Sequence, residues 1–363
     1  MVHGMSPISR SVTVAATNIQ GLGATQLLCS LLPALQRVGT PSLDTVWLPA
    51  RGDAADAPTG SSAVRVQHYA RRLPNALSRV IECMTTGRRI ARGGDLLVLG
   101  DLPYRQGARR QVVFVQTPFL LAGSRSASAI TNLKSAISRA LFRANLSRID
   151  RVVVQTTTMA DGLLATYPEL AGRITIIAQP APAWLLATPP APLPARAAGT
   201  PLRLFFPASP YPHKNHQLLG QALADCGDVV SLDLTIADDA TAVGHDPRIV
   251  RHGTLGPDAM IARYRACDAL VFPSLQESYG LPLVEAMFLG LPVLAADLPY
   301  AHALCGDSAI YFDPNDPGAL VAAIQTLRAR LDASWRPDWT TQLAAIPRDW
   351  DEVAQRMLAL FTD

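Results

Sequence analysis

Residues 269–312 read ALVFPSLQESYGLPLVEAMFLGLPVLAADLPYAHALCGDSAIYF. Ala269–Phe272 is an apolar run of strand length, and Pro292–Ala295 and Ala309–Phe312 are two more. Between the first two lie a polar loop and a helical stretch, Pro282–Leu289. Strand, loop, helix, strand is the repeating unit of a parallel sheet. The loop Ser274–Leu281 therefore joins a strand's carboxyl end to a helix start. A helix start offers unpaired backbone N–H groups and a partial positive charge, which suit a diphosphate. Gly280 lets backbone approach a ligand closely, and Pro282 fits the first helical turn. Glu277 and Glu285 bracket this corner with an E-x7-E spacing.

The same alternation extends in both directions. Ser11–Ala16, Thr45–Leu48, Leu96–Leu99, Val112–Gln116 and Arg151–Gln155 are short, near-continuous apolar runs, as expected of parallel strands buried on both faces. Helical patterns over Ala24–Gln36 and Ala129–Leu146 separate some of them, the latter with Leu133, Ile137 and Leu141 at four-residue spacing behind a Ser128 cap. Strands resume at Leu202–Phe206, Asp233–Ala237 and Ile249–His252, with helices over Gln217–Ala224, Asp258–Ala266 and Gly318–Arg330. A proline- and alanine-rich stretch from Ala178 to Pro201 intervenes and reads as a linker. The expectation is an α/β chain of two doubly wound, Rossmann-like domains. Residues 1–184 form the first, 185–201 the linker, 202–335 the second and 336–363 a closing segment. A ligand is expected between the domains, at the carboxyl ends of the strands.

At 363 residues and 49% hydrophobic content the chain suits two folded domains. No apolar run reaches membrane-spanning length, and SVTVAATNIQ at the amino end reads as a first strand. Five scattered cysteines without a C-x-x-C pair suggest buried thiols and a cytoplasmic protein. Charge is split: residues 1–198 hold 21 Lys and Arg against 9 Asp and Glu, a net +12. The remainder holds 11 against 20, a net −9. Such asymmetry points to an acidic partner for the first half. Arg71, Arg72, Arg79, Arg88, Arg89 and Arg92 crowd one stretch without the aromatic interleaving of single-strand nucleic-acid binders. No nucleic acid is expected; contact with the anionic inner face of a membrane is the expected use of this basic surface.

Three other segments carry candidate chemistry. Phe205–His216 (FFPASPYPHKNH) follows the first strand of the second half and holds Lys214. Thr17–Thr25 (TNIQGLGAT) is glycine-rich, but Gln26 breaks the G-x-G-x-x-G pattern, so NAD is not expected. Val113–Phe119 (VFVQTPF) ends a middle strand with Gln116 and Thr117.

With PSLQESYGLPLVEAM around its glutamates, the chain resembles glycosyltransferase family 4, strongly from about Leu202 to Leu327 and diffusely before. The resemblance implies the glycosyltransferase-B fold, with a closing helix that crosses back onto the first domain. It implies a retaining transfer of a hexose from a UDP- or GDP-sugar to a hydroxyl of a glycan or polyprenyl-linked glycan. In that reading Glu277 sits by the transferred sugar and Glu285 holds the ribose diol. Lys214 neutralises the leaving diphosphate, and Ser209, Ser278, Tyr279, Gly280 and Leu281 complete the nucleotide-sugar site. Gly21, Gly23 and Gln116 form the phosphate and acceptor loops. No metal and no cofactor are implied. The chain departs from the family at three places: Ser209 replaces an arginine, Gln116 or Thr117 a histidine, and Tyr300–Gly306 an Ala-Arg-Glu ending. A non-catalytic nucleotide-sugar-binding subunit is the alternative that Ser209 suggests. A nucleotide-sugar epimerase of the same architecture would need an acid/base histidine and carboxylate set that the sequence does not display.

Overall fold

The structure, a computed structural model, describes residues 11–19, 21–38, 42–58, 64–71, 76–123, 129–189, 199–227 and 230–362. The chain divides into two compact units, Met1–Gln179 with Asp349–Asp363, and Pro180–Arg348. In the first, the described residues form seven parallel strands in the order β3-β2-β1-β4-β5-β6-β7. They are β1 (Ser11–Ala15), β2 (Ser42–Pro49), β3 (Arg65–Tyr69), β4 (Asp95–Leu99), β5 (Gln111–Phe114), β6 (Arg151–Val154) and β7 (Ile174–Ile176). The second holds β8 (Leu202–Phe206), β9 (Val230–Leu234), β10 (Ile249–Arg251), β11 (Ala269–Phe272), β12 (Val293–Ala296) and β13 (Ile310–Phe312). These are parallel in the order β10-β9-β8-β11-β12-β13.

Each sheet reverses its winding once. In the first, β1 pairs with β2 on one side and β4 on the other. In the second, β8 stands between β9 and β11. The connections leaving either side of a reversal fold onto opposite faces of the sheet. That opens a crevice at the carboxyl ends, where ligands of such folds sit. The central strands are buried throughout: β4 (DLLVL), β5, β11 and β12 expose nothing.

Several expectations shift. The expected linker is partly folded: Ala183–Leu186 is a short helix with Leu185 buried, and the second unit starts at Pro180. Residues 190–198 lie outside the described residues. The closing segment starts at Asp349 rather than 336, because Trp339 is buried in the second unit, where its Nε1 donates to the Leu291 carbonyl at 3.0 Å. Asp349 then caps a helix, Trp350–Ala359, by accepting the Glu352 N–H at 2.9 Å. The buried face of that helix packs along Leu22–Val38, and Asp351 pairs with Arg37 at 2.6 Å. In the helix Ala129–Ala144 only Leu141 of the expected apolar stripe is buried, while Leu133 is 63% exposed. The Ser128 cap lies outside the described residues. No helix of the described residues is long and apolar enough to cross a membrane.

Candidate functional site

At the reversal of the second sheet, the loops after β8 and β11 meet. The β8 loop ends in a turn, Pro212–Lys214, closed by Asn215 in the left-handed region at φ 58°. The Leu275 N–H donates to the His213 carbonyl at 2.8 Å and ties the two loops together. Lys214 and Glu277 come from these separate loops and form an ion pair, Nζ to Oε1 2.5 Å. Both side chains are mostly enclosed, and Nζ also lies 5.8 Å from the centre of the Phe272 ring. Ser209 lies in the same loop, partly exposed, its carbonyl accepting the Tyr211 N–H.

The helix Leu281–Phe288 begins beside this pair. Gly280 precedes it at φ 106°, a backbone state that L side chains resist, and no side chain caps the first turn. A Cβ at Gly280 would also stand 3.0 Å from Leu283 Cδ1. The uncapped amides and helix dipole favour an anion at this end. Leu281 opens the helix and Ser278 is partly exposed. Tyr279 is 2% exposed, so its ring belongs to the core and only its backbone can reach a ligand. Glu285 stands one turn further in and is buried. Its Oε2 accepts the Tyr264 hydroxyl at 2.5 Å. Burial, reinforced by Glu285, holds the Tyr264 hydroxyl protonated far beyond its ordinary range. Tyr264 was not visible as a site residue in sequence, being 21 positions from its partner. Neither nearby histidine is poised as a base. Burial pushes His216 down to about 4, with Nε2 3.2 Å from the Ala208 carbonyl, and His213 stacks on Tyr211 with its own value lowered by burial.

Gly21, Gly23 and Gln116 belong to the first unit: Gly21 and Gln116 lie in the loops after β1 and β5, and Gly23 in the first turn of the helix Leu22–Val38. Gly21 adopts φ 84°, and neither glycine is hemmed in. Between those loops, after β4, lie two residues that sequence reading passed over. Gly100 adopts φ 139°, and a Cβ there would meet Asn18 Cβ at 3.1 Å. Asp101 follows at φ 72° and accepts the Gln116 N–H at 2.6 Å. Left-handed backbone at a non-glycine residue is strained unless its surroundings hold it, and such positions cluster at functional sites. Burial pushes the Asp101 carboxyl from 3.8 up to about 6, although the Gln116 amide and Arg79 pull the other way.

The sign of this shift gives a test. A folded value above the unfolded one means stability is greatest below 3.8 and is lost as pH rises through about 6. Asparagine carries no charge, keeps an acceptor for Gln116 and tolerates positive φ. Asp101→Asn is therefore expected to melt above wild type at pH 8, by up to about 3 kcal/mol, and to converge with it near pH 4. Melting curves across that range check it; a wild type that is the more stable at pH 8 contradicts the assignment.

The expected surface of six crowded arginines needs correction. Glu82, fully buried, accepts Arg71 Nε at 2.7 Å, Arg79 Nη1 at 2.6 Å and the Tyr104 hydroxyl at 2.9 Å. The Thr17 hydroxyl also donates to it. Arg71 and Arg79 are thus internal, and Arg71 further binds the Thr17 carbonyl and Asn18 Oδ1, fixing the start of the glycine loop. Arg72 lies outside the described residues; Arg88, Arg89 and Arg92 are exposed.

Residues 203–330 match the family model described as glycosyl transferases group 1. The O-antigen chain mannosyltransferase B of Escherichia coli is 40% identical over 73 residues, 20% of this chain and 19% of that protein. The match thus spans about a fifth of the curated relative's length. Among solved structures, sucrose-phosphate synthase from Thermosynechococcus elongatus superposes with a TM-score of 0.67 at 16% identity, covering 97% of this chain and 98% of its own. Anabaena HepE in complex with UDP and glucose gives 0.63 at 17%, covering 97% and 96%. At such identities the likeness establishes architecture: two parallel-sheet, Rossmann-like units of the glycosyltransferase-B fold.

Proposed function

We propose that the chain is a retaining glycosyltransferase that moves a hexose from a UDP- or GDP-sugar to a hydroxyl of a glycan or lipid-linked glycan. The observation that carries this reading is the meeting of Lys214 and Glu277 beside an uncapped helix start at the sheet reversal. A diphosphate there would find a lysine, backbone amides and a helix dipole in place of a metal ion. Glu277, already bonded to the lysine, would face the transferred sugar, and Glu285 would hold the ribose diol while Tyr264 fixes its rotamer. The family model and the fold support transfer chemistry of this kind, and HepE was crystallised with UDP and glucose. The matched mannosyltransferase supports a surface-polysaccharide acceptor. Acceptor chemistry would fall to the carboxyl edge of the first sheet, around Gly21, Gly23, Asp101 and Gln116. Residence at the inner face of the membrane is part of the proposal, resting on the net charge of residues 1–198.

Incubation with a panel of UDP- and GDP-sugars tests it: release of nucleotide and formation of an α-linked product, followed by NMR of the anomeric proton, is expected with one donor. Nucleotide binding without turnover of any donor would favour a binding subunit, the reading to which Ser209 lends support. The ribose role has its own test. Glu285→Ala is expected to weaken UDP or GDP binding by roughly 1.5–3 kcal/mol. Because it also strands the buried Tyr264 hydroxyl, Glu285→Gln, which keeps an acceptor for Tyr264, serves as the folded control. Unchanged calorimetric affinity in both variants removes Glu285 from the site.

A further inference from the structure

We infer that the amino edge of the first sheet carries a separate phosphate-binding pocket, built from Arg88, Arg105, Arg109 and Arg148. In a parallel sheet the starts of β4, β5 and β6 share one edge, opposite the edge that holds Gly100, Asp101 and Gln116. At that edge the four arginines line a pocket of about 410 Å³ with Asp150 as the one carboxylate in the lining. Arg109 is already committed: it grips Asp95 through two bonds, of 3.0 and 2.5 Å. Asp150 accepts the Gln111 N–H at 2.7 Å. The side chains of Arg88, Arg105 and Arg148 are exposed and make no hydrogen bond or ion pair among the described residues.

Three like charges on a flexible surface would spread apart. Here their backbones are locked together. Gly87 and Gly107 press the short helix Gly87–Ala91 against the loop after β4. A Cβ at Gly107 would fall 2.4 Å from Arg88 Cα, and one at Gly87 would fall 2.0 Å from the Gln106 carbonyl oxygen. The Gly93 N–H donates to the Gly107 carbonyl at 2.7 Å, and the Arg105 N–H to Cys83 at 2.9 Å. Gln111, 1% exposed, completes the frame. Its Oε1 accepts the Tyr104 N–H at 2.7 Å, and its Nε2 donates to the carbonyls of Tyr104 and Arg148 at 3.1 and 3.0 Å. One buried side chain thus joins the segments that carry Arg105 and Arg148. Holding uncompensated guanidinium groups around a common space costs energy that a polyanion returns. Planar guanidinium groups in a fixed frame match phosphate oxygens in paired hydrogen bonds, so the ligand class is a phosphomonoester or diphosphate. A soluble phosphate and a lipid headgroup offer the same chemistry of recognition.

Calorimetry of the full chain with inorganic pyrophosphate tests the pocket, with Lys214→Ala run in parallel to subtract any pyrophosphate held at the nucleotide site. One binding event is expected, weakened by added salt and at least tenfold weaker in Arg105→Ser/Arg148→Ser. These side chains are exposed, so the melting temperature should not move. Co-sedimentation with phosphatidylglycerol vesicles separates the sources. Capture that pyrophosphate displaces and the double variant loses points to a headgroup; pyrophosphate binding without capture points to a soluble phosphate. Equal binding of pyrophosphate by wild type and double variant, or no binding by wild type at low salt, overturns the inference. The test does not depend on the transfer reaction, so failure of one leaves the other standing.

Discussion

Lys214→Ala is expected to lower kcat/KM for sugar transfer by 10²-fold or more. The leaving diphosphate gains negative charge as the glycosidic bond breaks, and donors already aimed at that charge are worth most in an enclosed site. Removing one such donor typically costs about 10²–10³ in rate. In this chain the loss is sharper because Ser209 stands where the resemblance places an arginine, leaving Lys214 as the one lysine or arginine in the loops 207–215 and 273–280. The ion pair at 2.5 Å shows that the lysine is held in position before any ligand arrives. Glu277→Gln keeps a hydrogen-bond acceptor for Lys214 but removes the charge. It is expected to reduce kcat more than nucleotide affinity, because Glu277 would face the sugar rather than the base. The double variant should lose less than the sum of the singles, since the two side chains share one interaction. Steady-state kinetics with the active donor, with UDP and GDP affinities measured in parallel, provide the check. A fall below tenfold for Lys214→Ala, or equal losses of binding and turnover for Glu277→Gln, would remove these residues from the chemistry.

The central sheet strands were legible because parallel strands buried on both faces must be continuous apolar runs. Leu202–Phe206 and Ala269–Phe272 have the same limits in sequence and structure. The edge strands of the first sheet were not legible: RVQHY at β3 and ITI at β7 pair on one side and carry no long apolar run, whereas the edges of the second sheet, β10 and β13, were read within one residue at each end. β9 lies at Val230–Leu234 rather than Asp233–Ala237, because the apolar run continues past the strand and its pairing with β8 sets the limits. The Lys214–Glu277 corner was legible through its loop–helix grammar. Asp101 was not. Its surroundings, the Gln116 N–H and the Arg79 charge, are brought near only by the fold, and its strain is a backbone property. Tyr264 escaped for the same reason. The arginine stretch misled because composition cannot say which arginines face inward, although the lone Glu82 among them was the available signal.

That glutamate supports the largest expected effect on stability. Glu82→Ala should destabilise the first unit by about 3–5 kcal/mol, the usual consequence of stranding a buried charge. The Arg79 side chain is 8% exposed, with Glu82 as its ion-pair partner at 2.6 Å. Burial alone would raise the Glu82 carboxyl, but Arg79 and Arg71 outweigh it and hold it below its ordinary value. A depressed folded value stabilises above the unfolded one and loses that contribution as pH falls through the folded value. Glu82→Gln imitates the protonated group, so its deficit against wild type should be full at pH 7 and shrink in acid. Replacing both partners by apolar residues, Arg79→Met with Glu82→Leu, should recover part of the Glu82→Ala loss, because no lone charge remains. At roughly 2–4 °C per kcal/mol for a unit of this size, the alanine variant should melt about 10 °C lower. Because Arg71 uses the same carboxylate to hold Thr17 and Asn18, the glycine loop should loosen first, and hydrogen exchange at Thr17–Gly23 should rise before the strands open. A Glu82→Ala protein that melts within two or three degrees of wild type would mean that water reaches Arg79 easily, and the network would then be a surface feature and not the anchor of the loop.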